Sequence, residues 1–157
     1  MRRPGIALAL VGAVAIAAAG LWWQFGGGAA RDGIDIADAA FVDRGRTLYA
    51  QHCASCHGAE LQGQVPDWRS RLPDGSIPAP PHDASGHTWH HPDAMLFEIT
   101  KLGRLKASGG AAMSNMPGFE DKLSDADIWA VLSYIKSTWP EPVRQRHDEL
   151  NRRAQAH

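Results

Sequence analysis

The chain has 157 residues, of which 44% are hydrophobic, 21% charged and 8% aromatic, which suits one globular domain and leaves little room for two. Sixteen Lys and Arg against seventeen Asp and Glu give a formal charge of −1, without the basic excess that a phosphate-tracking surface needs, so no nucleic-acid partner is expected. The two cysteines, Cys53 and Cys56, are too few for a disulfide scaffold and too close to close a long loop, so their use is local.

Arg2 and Arg3 precede a stretch from Gly5 to Phe25 with no charged side chain. Its last twenty residues, Ile6 to Phe25, would span about 30 Å as a helix, the thickness of a bilayer's hydrocarbon core. Two readings compete for residues 1–25. One is a signal peptide cleaved at the small residues Ala17-Ala18-Ala19; the other is an uncleaved signal-anchor ending in the interfacial aromatics Trp22 and Trp23. The apolar run exceeds the usual h-region of roughly 7–15 residues, which favours the anchor. Both keep the basic end in the cytoplasm and export the rest, so a domain tethered on the periplasmic side of a bacterial inner membrane is expected, or a soluble periplasmic one after cleavage. Residues 26–37, beginning Gly26-Gly27-Gly28, read as a linker, and beyond residue 25 the 14 cations and 17 acids leave a charge of −3.

The periodicity of Phe41, Gly45, Leu48 and Tyr49 predicts a helix over Ile34 to His52 with a narrow apolar face. From Gly58 to Pro81 the chain is rich in Gly, Pro, Asp and Ser and reads as loop. A short helix is expected from Pro92 to about Gly103, with proline at its first position, followed by a loop from Lys106 to Glu120 that carries Met113 and Met116. Ser124 and Asp127 have the Ser-x-x-Asp form of a capping box and open a helix running through Ile128, Val131, Leu132 and Ile135 to Trp139, where Pro140 and Pro142 end it. The tail, residues 141–157, is polar nearly all round from Val143 onward and reads as either a solvated helix or disorder. There is no internal repeat and no strand signal, so an all-α fold is expected.

The chemistry concentrates in Cys53-Ala54-Ser55-Cys56-His57. Cys-x-x-Cys-His is the attachment sequence of c-type haem: two thiols three residues apart reach the two vinyl groups, and the adjacent imidazole reaches the iron. A thioredoxin-like redox pair belongs to a βαβ fold, which this chain does not announce. Zinc held by His52, Cys53, Cys56 and His57 would crowd four ligands into six residues, unlike the separated ligand pairs of structural zinc sites.

With that motif in view, residues 38–140 resemble the class I monohaem cytochromes c. A helix with Gly45 and Tyr49 precedes the haem motif, a methionine loop follows, and a last helix carries an apolar-aromatic pair three apart. The resemblance implies three to four helices wrapped around one covalently attached haem c. It also implies a close crossing of first and last helices, with Gly45 against Val131 and Tyr134. It implies axial iron ligation by His57 and by a methionine about sixty residues on, for which Met116 in Met116-Pro117-Gly118-Phe119 matches the family's Met-Pro-x-Phe pattern and Met113 is the alternative. The carbonyl that orients the ligand histidine falls by resemblance to Pro80, with Pro66 as runner-up. Trp89 either donates its indole N–H to a haem propionate or caps the small core.

With both axial positions filled, no site is open to a substrate, so the resemblance implies an electron carrier between redox partner proteins and not an enzyme. A haem-based ligand binder or sensor is the alternative if the methionine is labile. A third reading attaches to His82-Asp83-Ala84-Ser85-Gly86-His87-Thr88-Trp89-His90-His91, whose four histidines suit copper or zinc. These histidines equally suit a loop that lines the propionate edge or caps the helix at Pro92, because nothing in their spacing fixes a tetrahedron.

Overall fold

A computed structural model describes residues 32–110 and 114–156. The expected membrane segment, the linker up to residue 31 and Met113 lie outside the described residues. Among the described residues no helix is long and apolar enough to cross a membrane. The described residues form six α-helices in order: α1 (Ala39–His52), α2 (Ala54–His57), α3 (Asp93–Leu102), α4 (Arg104–Ala107), α5 (Asp125–Ser137) and α6 (Glu141–Gln155), with a 3-10 turn at Thr88–His90 before α3. The described residues contain no strand, only an isolated bridge from Ile77 to Ser114. The expectation of an all-α chain is met.

Helix α1 starts five residues later than expected, and the cause is local. The Asp35 carboxylate accepts the amides of Ala37 and Asp38, which holds those residues in a turn. The Asp38 carboxylate then accepts the Phe41 amide at 3.1 Å as the N-cap. Phe41, Gly45 and Tyr49, four apart, form the buried stripe. A Cβ at Gly45 would overlap the carbonyl of Ala130 and lie 3.0 Å from Cβ of Tyr134. The first and last core helices therefore cross backbone to backbone at this point, but against Ala130 and Tyr134 instead of the expected Val131 and Tyr134.

The capping box of α5 is present in both directions, Ser124 Oγ accepting from the Asp127 amide and the Asp127 carboxylate from the Ser124 amide, each at 3.2 Å. Ile128, Ala130, Val131, Leu132 and Ile135 are buried along it. The helix stops at Ser137, two residues before the expected Trp139, where the Ser137 and Thr138 hydroxyls donate to the Tyr134 and Ile135 carbonyls. Helix α3 joins this core through Phe97, stacked on Trp129 with ring centroids 4.4 Å apart.

The polar tail is helix, not disorder, and it is docked. Its anchor is His147, which has no solvent exposure. The Nε2–H of His147 donates to the His91 carbonyl at 3.0 Å and its ring meets Trp139 edge-on at 5.0 Å. Lys136 of α5, itself buried, pairs with Asp148 at 2.5 Å. One turn further along α6, Asn151 Oδ1 accepts the Asp93 amide at 2.8 Å. That bond caps α3, because its N-cap Pro92 has no side-chain acceptor; the histidines before Pro92 do not perform this role. Pro92 itself stands one position before the first helical residue.

Burial pushes the His147 pKa below its ordinary value, and the nearby Asp93 carboxylate opposes this. The unfolded chain therefore takes up this proton first on acidification, so the docking energy is complete above about pH 6.5 and falls as the pH drops below it. Wild type is expected to lose more stability than His147→Gln between pH 7.5 and pH 5.5 in urea titrations; equal losses would show that the docked imidazole is not the sensitive group.

Candidate functional site

The site is built where α1 ends. The Cys53 amide still donates to the Tyr49 carbonyl, and the Cys56 and His57 amides donate to the Cys53 carbonyl, so the Cys-x-x-Cys-His segment forms the single turn α2. This turn leaves Cys56 exposed, Cys53 half-buried against the core and His57 buried. The Tyr49 hydroxyl donates to the Gly58 carbonyl at 3.0 Å, tying the buried face of α1 to the residue after His57.

His57 Nδ1 donates to the Pro80 carbonyl at 2.9 Å, the carbonyl expected ahead of that of Pro66. Its Nε2 has no hydrogen-bond partner among the described residues. Burial lowers the His57 pKa, with the Pro80 carbonyl opposing, so the imidazole is neutral at neutral pH, as a metal ligand must be. Burial, and secondarily Cys56, pushes the Cys53 thiol up to about 11. Reactive redox thiols in Cys-x-x-Cys motifs have lowered pKa values, so Cys53 is not poised as a thioredoxin-like nucleophile.

The methionine loop is pinned against the end of α3. The Phe119 amide donates to the Thr100 and Lys101 carbonyls at 3.2 and 3.0 Å, and the Arg104 amide to the Met116 carbonyl at 3.3 Å. Gly103 ends α3 with φ +83°, and a Cβ there would lie 2.6 Å from the Gly118 amide nitrogen, so two facing glycines bring the loop onto the helix end. Phe119 is buried, and Met116 packs partly buried on the same core as Cys53 and Trp89. The Trp89 indole N–H points to the Ala84 carbonyl at 3.4 Å, and its ring stacks on His90 at 3.7 Å.

The four histidines of the 82–91 segment are not gathered around a point. Among the described residues no group of three or more His, Cys, Asp or Glu is arranged to hold a metal ion. His87 stacks on Trp68 at 5.0 Å and meets His91 edge-on at 5.1 Å. His82 is stacked on His57 itself, with ring centroids 4.0 Å apart. Sequence reasoning missed this contact, and it missed Trp139, whose indole N–H donates to the His82 carbonyl at 2.7 Å. The available signal was adjacency: His82 follows Pro80 by two residues, so the carbonyl that meets His57 brings His82 within reach.

A buried neutral imidazole with a free Nε2, two thiols on the turn that carries it and a pinned methionine loop form a donor set that suits a covalently held metalloporphyrin. The family model of cytochrome c matches residues 42–139, more than half of the chain. The chain therefore belongs to the cytochrome c family. Membership brings one covalently bound haem c, whose attachment motif Cys53 and Cys56 fit, and haem-based electron transfer as its chemistry. Among curated proteins, the chain is 31% identical over 99 residues to a cbb3-type cytochrome c oxidase subunit CcoP from Azospirillum sp. (strain B510), covering 63% of this chain and 29% of that protein. It is 29% identical to the CcoP subunit of Azospirillum brasilense, over 62% of this chain and 28% of the relative. It is also 29% identical to a thiosulfate dehydrogenase of Stutzerimonas stutzeri (strain A1501), over 67% of this chain and 28% of that protein. The matches thus span less than a third of these relatives. No solved structure gives a significant match.

Proposed function

We propose that this chain is a single-electron carrier whose haem is attached through Cys53 and Cys56 and whose iron is held by His57 and Met116, and that it passes electrons between redox partner proteins on the periplasmic side of a bacterial inner membrane. The observation that carries this reading is the His57 imidazole: buried, neutral, fixed at Nδ1 by Pro80 and, among the described residues, unengaged at Nε2. Haem c, when bound, supplies an iron that takes up and returns one electron. The residues around it keep the ligand neutral, orient it and exclude water from its buried face.

Ligation by an imidazole and a thioether leaves no open position, so the carrier reading is preferred to a ligand binder, and the chain itself is read as performing no substrate chemistry. Of the two roles expected for Trp89, its packing on the core supports the cap. An oxidase subunit and a dehydrogenase among the relatives support membrane-bound or periplasmic redox enzymes as the partner class. The uncharged segment from Ile6 to Phe25 supports tethering to the membrane.

Protein made with haem-maturation machinery is expected to keep its colour through acidified acetone, while Cys53→Ala or Cys56→Ala retains a single thioether and gives less holoprotein. His57→Ala should lose the low-spin ligation spectrum. Colourless wild type, or pigment that extracts completely, would overturn the proposal.

A further inference from the structure

We propose that His82 is a positioning residue for the axial imidazole: its ring is the slab against which His57 rests, so the plane of the ligand is set from its face by His82 as well as from its edge by Pro80. The inference rests on the assignment of His57 as the iron ligand and deepens it. The Pro80 carbonyl meets His57 at the ring edge, and one edge contact leaves the imidazole free to rock about its bond to the chain. The His82 ring closes off one sense of that motion, lying 4.0 Å away and inclined by 22°.

A slab is useful only if it is itself immobile, and His82 is held at several points. Its Nδ1 is hydrogen-bonded to Thr88 Oγ1 at 2.8 Å, and Thr88 Oγ1 lies 3.4 Å from the Pro81 carbonyl. Its carbonyl accepts from Trp139 and its amide donates to the Leu61 carbonyl at 2.8 Å. Tyr49 meets the ring edge-on at 6.1 Å. Trp139 and Tyr49 are among the most deeply buried side chains, so the slab is tied to the core and not to its own loop alone. Edge contact and face contact are also joined covalently by Pro80-Pro81-His82, in which two consecutive prolines fix φ. A packing role would be met by any apolar side chain; positioning requires a flat face, which a planar ring supplies and which the Thr88 contact further holds at its tilt. This gives the segment from His82 to Trp89 a purpose that metal binding does not.

The test is the ferric electron paramagnetic resonance spectrum of full-length holoprotein, whose g values follow the orientation of the axial ligand plane, read beside the midpoint potential. His82→Leu removes the ring, His82→Phe restores a flat face without Nδ1, and Thr88→Val frees the imidazole without removing it. The expected result is a shift of the largest g value in His82→Leu, a return toward wild type in His82→Phe, and a smaller shift or broadening in Thr88→Val. An unmoved spectrum in His82→Leu, or equal shifts in the leucine and phenylalanine variants, overturns the inference. Should His82→Leu give no holoprotein, Thr88→Val decides: a spectrum identical to wild type overturns it, and a moved one supports it. His57→Ala separates the two layers. If it keeps the native spectrum, the ligand assignment falls and the inference with it; if it loses that spectrum while His82→Leu leaves the g values in place, only the inference falls.

Discussion

Gly45→Val is expected to lower the melting temperature of the protein by about 10 °C, the shift that a loss of roughly 2–3 kcal/mol produces in a domain of this size. The cost arises because the new side chain meets a backbone and not the end of a flexible chain. A Cβ at position 45 overlaps the Ala130 carbonyl, which sits inside α5 and cannot turn aside without giving up its helical hydrogen bond. Overpacking of this kind costs about 1–3 kcal/mol, and here the two helices must separate along the whole Phe41–Tyr49 stripe. Gly45→Ala makes a sharper test through its sign. In an open helical position alanine stabilises by about 1 kcal/mol relative to glycine, whereas here the overlap should outweigh that gain. Gly33→Ala, with nothing within 4 Å of the added Cβ, serves as the control and should melt like wild type. Thermal unfolding followed by circular dichroism decides it, and a Gly45→Ala protein that melts at or above wild type would show that the helices do not cross there.

The features legible in the sequence are those carried by short-range chemistry. The Ser124–Asp127 box needs only four residues, and the stripe of Phe41, Gly45 and Tyr49 only a helical period. Where a tertiary partner decides, the reading fails in understandable ways. Val131 and Tyr134 form the apolar-aromatic pair, but Ala130 and Tyr134, one turn apart, are the residues that face Gly45; a shift of one position on a helix is a rotation of about 100°. The docking of α6 was hidden because its buried residue is a histidine, which a search for apolar periodicity counts as polar. What makes His147 an interior residue is the set of partners brought to it by Asp93 of α3, by Trp139 just after α5 and by His91 just after the 3-10 turn. The pairing of His82 with His57 was invisible for the same reason. The 24 residues between the two rings contain no repeating pattern, and only the folded loop shows that the second histidine lies on the face of the first.

Met116→Ala should remove the weak far-red sulfur-to-iron band of the oxidised protein, allow the reduced protein to bind carbon monoxide and lower the midpoint potential by about 0.1–0.3 V, a fraction of the roughly 0.8 V over which axial ligands set haem potentials. The direction follows from the thioether, which favours the reduced metal relative to a harder donor or water. The fold is expected to survive, because the loop is held by its backbone: Phe119 to Thr100 and Lys101, Arg104 to Met116, and Gly118 against the Leu102 carbonyl. None of these contacts uses the methionine side chain, so a spectral change in a variant that melts nearly as wild type reports on ligation and not on collapse. Met113→Ala is the comparison. It should retain the band, and a reversal, with the band lost in Met113→Ala and kept in Met116→Ala, would move the sixth ligand three residues upstream. A band lost in neither variant would place the thioether elsewhere, whereas a wild type without the band would leave the iron without a thioether ligand and return the protein to the ligand-binding class, with His57 as its one fixed axial residue.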